Sequence, residues 1–198
     1  MTKAGVPDTG GGPDHAVFAT ARALDDWLAQ HHADRAQLWV RIYKKASGVA
    51  SVDWQDCVIA ALCWGWIDGQ KKALDDLSYL QRLTPRTARS GWSDRNRQHA
   101  ERLIAEGRMQ PPGLAQVTAA KADGRWHVAY AGQADMVIPQ DFLDALQAHP
   151  VAKAFYATLN RSNLFAIYHR LHTAKRPQTR QDRMQRIIDQ LNRQERFH

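Results

Sequence analysis

The sequence lacks any apolar run close to the roughly 18 residues that a membrane-spanning helix needs. Its first fourteen residues hold a single lysine and are rich in glycine, proline and aspartate. They therefore lack the basic start and apolar middle of a secretory signal. These two absences predict a protein without a transmembrane segment, located in the cytoplasm.

Cysteine is scarce, with only Cys57 and Cys63 in 198 residues. Both lie six residues apart on one predicted helix, on different faces, so they are placed too far apart for a disulfide. Cys63, in the last turn of an apolar helix, is interpreted as a small buried hydrophobe and not as a nucleophile.

Metal-binding patterns are also missing. The cysteines form no CxxC pair, and the close histidine pairs, His31–His32 and His169 with His172, are not accompanied by an HExxH motif or a matching carboxylate. We therefore expect no metal and no cofactor.

The common catalytic loops are absent as well. The sequence contains no Walker loop, no GxGxxG and no GxSxG. These absences argue against standard nucleotide hydrolysis and standard serine hydrolysis.

Positive charge, in contrast, is abundant, with 27 Lys and Arg against 20 Asp and Glu. The excess lies in two arginine-rich segments: residues 81–108 carry 7 basic and 3 acidic residues, and residues 170–198 carry 8 and 3. Because the guanidinium fork fits carboxylates and phosphates, these segments predict an anionic partner.

In the second segment, Arg176, Arg180, Arg183 and Arg186 form a stripe on the last predicted helix, opposite an apolar face. We expect that face to pack on its own domain; the alternatives are that the basic helix lies on an acidic membrane or holds nucleic acid.

Hydrophobic periodicity predicts an α+β fold, in which a small antiparallel sheet with flanking helices is followed by a mostly helical C-terminal region. The predicted strands cover residues 38–45, 66–73 and 79–83. The predicted helices cover residues 20–32, 53–64, 93–106, 114–122, 139–148, 150–159, 162–172 and 177–191. The expected domain organisation is a disordered tail over residues 1–14, an α+β domain over 15–110 and a helical region over 111–198 packed on it.

Several segments, in order along the chain, carry a family resemblance. They are residues 39–48 (WVRIYKKASG), 61–69 (ALCWGWIDG), 81–86 (QRLTPR), 89–96 (RSGWSDRN), 107–109 (GRM), 113–114 (GL), 120–126 (AKADGRW) and 174–180 (AKRPQTR). In combination, this series resembles the YdeI/OmpD-associated family, also called bacteriocin-protection proteins. The resemblance implies a link to an outer-membrane porin and to resistance against bacteriocins or cationic antimicrobial peptides. It supplies no catalytic residues that could be transferred.

The candidate site is the loop of residues 82–93 together with residues 66–68. Two arginines flank a polar loop that leads into a helix start, where free N–H groups and the helix dipole favour an anion. Lys44 and Lys45, at the end of the first predicted strand, extend the basic surface. The candidate ligand-binding residues are Trp66, Asp68, Arg82, Arg86, Arg89, Ser90, Trp92, Ser93, Lys44 and Lys45. The alternative is structural: Ser93 caps the helix, Trp92 packs and Asp68 pairs with an arginine.

Three functions fit this sequence. The first is a non-enzymatic stress-protection protein that binds an anionic small molecule or an acidic protein surface. The second is nucleic-acid binding, suggested by the basic pI and by tryptophans near arginines. The third is an enzyme of unknown reaction, with Asp68 as general acid or base and arginines that hold the substrate. The sequence leaves the ligand and the oligomeric state open.

Overall fold

The computed structural model describes residues 14–198, so almost all of the predicted N-terminal tail lies outside the described residues. Four strands are present: β1 (His15–Val17), β2 (Leu38–Tyr43), β3 (Trp66–Ala73) and β4 (Ser78–Pro85). The helices are α1 (Ala21–His31), α2 (Trp54–Cys63), α3 (Asp94–Ala105), α4 (Pro111–Ala122), α5 (Gln140–Leu146), α6 (Pro150–Tyr156), α7 (Arg161–His172) and α8 (Pro177–Asn192). None of the helices in this described part is both long and apolar enough to span a membrane.

The chain forms two compact units. The first unit contains the described residues up to Ser90 together with Asn96–His127, and the second contains Gly91–Arg95 together with Val128–His198. The first unit holds the sheet and the second is helical, as the predicted α+β class requires.

The sheet of the first unit has the strand order β1-β2-β4-β3. The predicted hairpin is present: β3 and β4 pair antiparallel, and β4 also pairs antiparallel with β2. The structure adds β1, which pairs parallel to β2 and makes the sheet mixed. With only three residues, β1 is too short to show an alternating pattern in the sequence.

Two helices of the first unit begin at caps that the sequence predicted. The Thr20 hydroxyl accepts a hydrogen bond from the N–H of Ala23 and starts α1. Asp53 starts α2 with a capping box, since its side chain accepts from the N–H of Asp56 while the Asp56 carboxylate accepts from the N–H of Asp53. The apolar faces of these helices pack against the sheet around Leu24, Leu28 and other residues of the core.

The end of α2 approaches the start of α4 closely. Gly65 follows α2 with φ +73°, a conformation that favours glycine, and its N–H donates to the carbonyl of Leu62. A Cβ atom added to Gly113 would lie 2.3 Å from the carbonyl oxygen of Cys63. The predicted start of α4 at Leu114 is wrong: the helix begins at Pro111, because proline at the first helical position costs no hydrogen bond.

The second unit packs its helices around a separate core that includes Phe142, Ile167, Leu171, Ile188 and Leu191. The apolar face predicted for the last helix is confirmed, since Ile187, Ile188 and Leu191 of α8 are buried. The predicted start of α7 at Ser162 is wrong by one residue. The helix begins at Arg161, because the Asn160 side chain accepts from the N–H of Asn163 and caps it.

Candidate functional site

The part of the predicted site loop that belongs to the first unit combines buried and exposed arginines. Arg86 is 5% exposed, and its backbone N–H donates to the carbonyl of Gly65. Arg82 donates through Nε to the side chain of Gln37 at 2.9 Å, and Arg89 is exposed. Ser90 accepts through Oγ from the N–H of Thr87 at 3.0 Å. Their role in ligand binding stays a prediction.

Arg125 is a neighbour of this loop that sequence reasoning missed. It is buried, its Nη1 donates to the carbonyl of Ser90 at 2.9 Å, and its Nε lies 2.7 Å from the carboxylate of Asp123. Arg125 therefore fixes the end of the loop from within the same unit. The signal in the sequence was weak, because 35 residues separate the two partners.

Trp66 and Asp68 lie at the start of β3 but in different surroundings. Trp66 is 1% exposed, its indole N–H donates to the carbonyl of His32, and its ring packs edge-on against that of Trp27. Asp68 is half-buried and accepts a hydrogen bond from the indole N–H of Trp54 at 3.1 Å. These contacts give Trp66 a structural role in the core of the first unit.

The lysine pair lies at the end of β2 and is exposed. The Lys44 ammonium group donates to the carbonyl of Asp76 at 2.8 Å, across from the turn between β3 and β4. Lys45 begins a short 3-10 helix, Lys45–Ser47, which Gly48 follows. The Lys44 contact therefore ties this strand end to the neighbouring turn.

Trp92 and Ser93 belong to the second unit. Trp92 is 2% exposed, and its carbonyl accepts from the N–H of Tyr130. Ser93 forms a parallel β-bridge with Tyr130 directly before α3, and the N–H of Asp94 donates to the carbonyl of Tyr130. Because Trp92 is buried, its ring is not exposed for stacking on a base.

A polar groove of about 940 Å³ lies in the first unit. Four aspartates and three arginines line it, among other residues: Asp25, Asp26, Asp53, Asp56, Arg22, Arg102 and Arg108. Most of these charges already have partners within the unit, because Asp53 and Asp56 form the capping box, Asp25 accepts from Trp64, and Arg102 and Arg108 both pair with Glu106. With four aspartates against three arginines, neither sign of charge dominates this groove.

Cys63 lines the same groove as a free thiol. Burial, followed by the negative charge of Asp25, raises its pKa to about 11. At neutral pH the group is therefore a neutral thiol, as expected for a small buried hydrophobe and not for a nucleophile.

The second unit contains a basic pocket of about 490 Å³, which we call the arginine pocket. It lies between α7, α8 and the C-terminal segment. Its lining residues are His169, Arg170, Thr173, Arg183, Arg186, Ile187, Gln190 and Phe197. None of these described lining residues is acidic, so three guanidinium groups face the pocket without a carboxylate in its wall.

Hydrogen bonds hold two of the three arginines in place. Arg183 donates through Nη1 to the carbonyl of Arg170 at 2.7 Å and to the hydroxyl of Thr173 at 3.1 Å. Arg170 donates to the carbonyl of Ala166 at 3.2 Å, and its guanidinium lies 4.7 Å from the centre of the Phe197 ring. These bonds use only part of the donor capacity of each guanidinium, which has five N–H groups.

Arg186 is exposed, and within the described chain its side chain makes no hydrogen bond or ion pair. The neighbouring arginine of the stripe, Arg180, differs from it, since Arg180 pairs with Asp141. The four arginines of the predicted stripe are therefore not equivalent. Two of them, Arg183 and Arg186, line the pocket.

His169 forms the part of the pocket wall where charge can change. Its ring is half-buried and packs against Tyr130 and Phe165. Burial lowers its pKa below the ordinary value of 6.5, and the charges of His172, Arg170 and Arg183 lower it further. The ring is therefore neutral at pH 7, and a nearby anion would favour its protonated form.

The ten site residues predicted from the sequence line neither the arginine pocket nor the polar groove of the first unit. The basic stripe on α8 was the sequence signal for the pocket. What the stripe could not show was its grouping with Arg170 on α7 and with Phe197 near the C-terminus.

Two family models match the chain. Residues 16–116, about half of the sequence, match the model described as "Domain of unknown function (DUF8412)". Residues 135–194 match the model described as "Bacteriocin-protection, YdeI or OmpD-Associated". The chain belongs to the first of these families, and its C-terminal part carries a region that matches the YdeI/OmpD-associated model. The resemblance to the YdeI/OmpD-associated family is thus confirmed, and the second match contains every lining residue of the arginine pocket except Phe197.

Most of the segments that carried the resemblance lie in the first match, whereas residues 174–180 lie in the YdeI/OmpD-associated match. No curated protein and no solved structure matches the chain at a significant level.

Proposed function

We propose that this YdeI/OmpD-associated protein is a non-enzymatic binding protein that holds an anionic ligand in the arginine pocket. The observation that carries the proposal is the lining of the pocket, in which Arg170, Arg183 and Arg186 converge without an acidic residue among the described lining side chains. Guanidinium groups bind oxyanions through pairs of charge-assisted hydrogen bonds. Two of these groups are positioned before a ligand arrives, so less side-chain entropy is lost on binding.

The candidate loop around residues 82–93 and the lysine pair have less support as the main site. The buried Arg86 and Trp92 lie away from solvent, and Lys44 is engaged with Asp76. Nucleic-acid binding loses support, because Trp66 and Trp92, the tryptophans of the predicted site, are both buried and cannot stack on a base. The enzymatic hypothesis rests on Asp68. Its carboxylate accepts a hydrogen bond from the indole of Trp54, and this contact does not indicate a reaction.

The family description names bacteriocin protection, and we propose that anion binding is this chain's contribution to such resistance. The cytoplasmic location expected from the sequence stays a prediction. A strain that lacks the gene and is challenged with cationic peptides tests the physiological role. Complementation by an Arg186→Gln gene that is expressed normally would contradict the link between the pocket and resistance.

The binding proposal is tested by calorimetric titration of the full chain with sodium sulfate, with sodium chloride as the reference salt. We expect one saturable sulfate site and a loss of about tenfold in affinity for Arg186→Gln, since a hydrogen bond to a charged group contributes about 1.5–3 kcal/mol. Arg186 makes no side-chain bond within the described chain, so this change should leave the fold intact.

The matched control is Arg176→Gln, at the start of the same helix and outside the pocket. Both variants lower the net charge equally, so general electrostatic attraction predicts equal losses. A specific pocket predicts a loss in Arg186→Gln alone. Equal affinities in the two variants, or no saturable binding to the wild-type chain, would contradict the proposal.

A further inference from the structure

The chemical class of the ligand follows from the wall of the arginine pocket, on the assumption that the proposed function is correct. Three permanent positive charges lie in the lining, and His169 adds a fourth when protonated. A single carboxylate would leave most of this charge uncompensated. A phosphate with two negative charges and three equivalent oxygens matches several guanidinium forks at once.

The same lining argues against an amino acid or another zwitterion. An ammonium group on the ligand would need a carboxylate or several carbonyl acceptors nearby. Among the described lining residues there is no carboxylate, and the neutral side-chain acceptors are His169, Gln190 and Thr173, whose hydroxyl already accepts from Arg183. The ligand is therefore expected to be purely anionic in its charged part.

The pocket also has an apolar wall. Ile187 is buried in the core of the second unit, and Phe197 lies half-buried beside Arg170. The volume of about 490 Å³ exceeds the need of an inorganic ion, since a water molecule takes up about 30 Å³ of the liquid and the space corresponds to roughly fifteen non-hydrogen atoms. An organic group attached to the phosphate would occupy the space beside this wall.

The C-terminal segment fixes the position of the apolar wall. The N–H of Phe197 donates to Oδ1 of Asn163 at 2.7 Å, and Asn163 is itself buried and bonded to Asn160 at 2.8 Å. The carbonyl of Arg196 accepts from the Gln190 side chain at 3.0 Å. The peptide group that precedes Phe197 is therefore held through both its carbonyl and its N–H, and this positions the Phe197 ring.

From these observations we infer that the arginine pocket binds a small organic phosphate monoester. The phosphate lies among Arg170, Arg183 and Arg186, and the organic group lies against Ile187 and Phe197. This inference deepens the proposed function and depends on it.

Three probes separate the contribution of the phosphate group from that of the apolar group in calorimetric titrations of the wild-type chain at pH 8. The probes are inorganic phosphate, phenyl phosphate and benzoate. We expect phenyl phosphate to bind about tenfold more tightly than inorganic phosphate, because its ring buries apolar surface. Benzoate, which carries the ring but only one charge, should bind more weakly than either phosphate.

Phe197→Ala should remove the advantage of phenyl phosphate while its affinity for inorganic phosphate stays within about threefold of wild type. Phe197→Leu, which keeps an apolar side chain, should retain part of the advantage. Thermal unfolding shows whether both variants fold. If either variant is unfolded, the comparison of the three probes on the wild-type chain still decides the question.

Equal binding of inorganic phosphate and phenyl phosphate would overturn this inference and leave the anion site standing. Benzoate binding as tight as that of phenyl phosphate would overturn the requirement for two charges. If none of the three probes binds, the proposed function fails together with the inference.

Discussion

Arg183→Gln combined with Arg186→Gln is expected to weaken sulfate binding roughly a hundredfold, which removes measurable binding at millimolar sulfate. Arg186 accounts for about tenfold of this loss, and Arg183 contributes at least as much. Arg183 is half-buried, and two hydrogen bonds to Arg170 and Thr173 hold its guanidinium in place. A positioned charge that is partly shielded from water interacts more strongly with an anion than an exposed, mobile one.

The control is the double variant Arg176→Gln with Arg193→Gln, which removes two charges from the same end of the chain but none from the pocket lining. Arg193 pairs only with the exposed Glu195 among the described residues, so its loss should affect stability little. Thermal unfolding verifies that both double variants fold. Retention of sulfate affinity within about threefold in Arg183→Gln/Arg186→Gln would contradict a pocket built on these side chains.

Gly113→Ala is expected to destabilise the first unit strongly, although it adds only one methyl group. The new Cβ would lie 2.3 Å from the carbonyl oxygen of Cys63 and 2.7 Å from that of Leu62. Both are backbone atoms at the end of α2, so no side-chain rotation relieves the clash. Overpacking typically costs about 1–3 kcal/mol and occasionally more, and we expect about 3 kcal/mol or more, with a fall in melting temperature of roughly 10 °C.

Gly69→Ala is the matched control within the same unit, because the nearest atom to its added Cβ is the carbonyl oxygen of Arg82 at 3.8 Å. Its melting temperature should lie within about 2 °C of wild type. Differential scanning calorimetry measures both variants. A Gly113→Ala chain as stable as Gly69→Ala would show that the end of α2 and the start of α4 are not in close contact.

Local signals predicted most of the elements. Asp53 followed by apolar residues at helical spacing predicted α2, and the prolines at 150 and 177 marked the starts of α6 and α8. The failures occurred where the local signal was short or ambiguous. β1 has three residues, and the Pro111–Pro112 pair lies before the predicted helix start at residue 114 although it begins the helix.

The candidate site was harder to predict than the fold. Arginines near tryptophans suggested a surface site, but Trp66 lies in the core and Trp92 is buried, and no local pattern distinguishes a buried tryptophan from an exposed one. The arginine pocket joins Arg170, Arg186 and Phe197 from three successive segments. Helical spacing places Arg183 and Arg186 on one stripe, but only the packing of α7 against α8 shows which residues lie opposite them.

The most direct test of the anion site is a measurement of the pKa of His169. NMR of its ring protons gives this pKa with and without saturating sulfate. Sulfate keeps both negative charges between about pH 5 and 8, so only the protein titrates in this range. The groups that face or influence the ring are His172 and Arg170 on α7, Arg183 on α8, and Tyr130. Without ligand, the pKa of His169 should lie below 6.5, because the ring is half-buried and lies near the charges of His172, Arg170 and Arg183.

Bound sulfate should raise the pKa of His169, since a negative charge beside the ring stabilises the imidazolium form. By linkage, sulfate should then bind more tightly as the pH falls through the pKa of the complex, and its affinity should level off below the pKa of the free protein. Arg176→Gln should reproduce this behaviour, and Arg186→Gln should require about tenfold more sulfate. An unchanged pKa of His169 at sulfate concentrations that saturate the calorimetric signal would place the anion elsewhere and contradict binding in the arginine pocket.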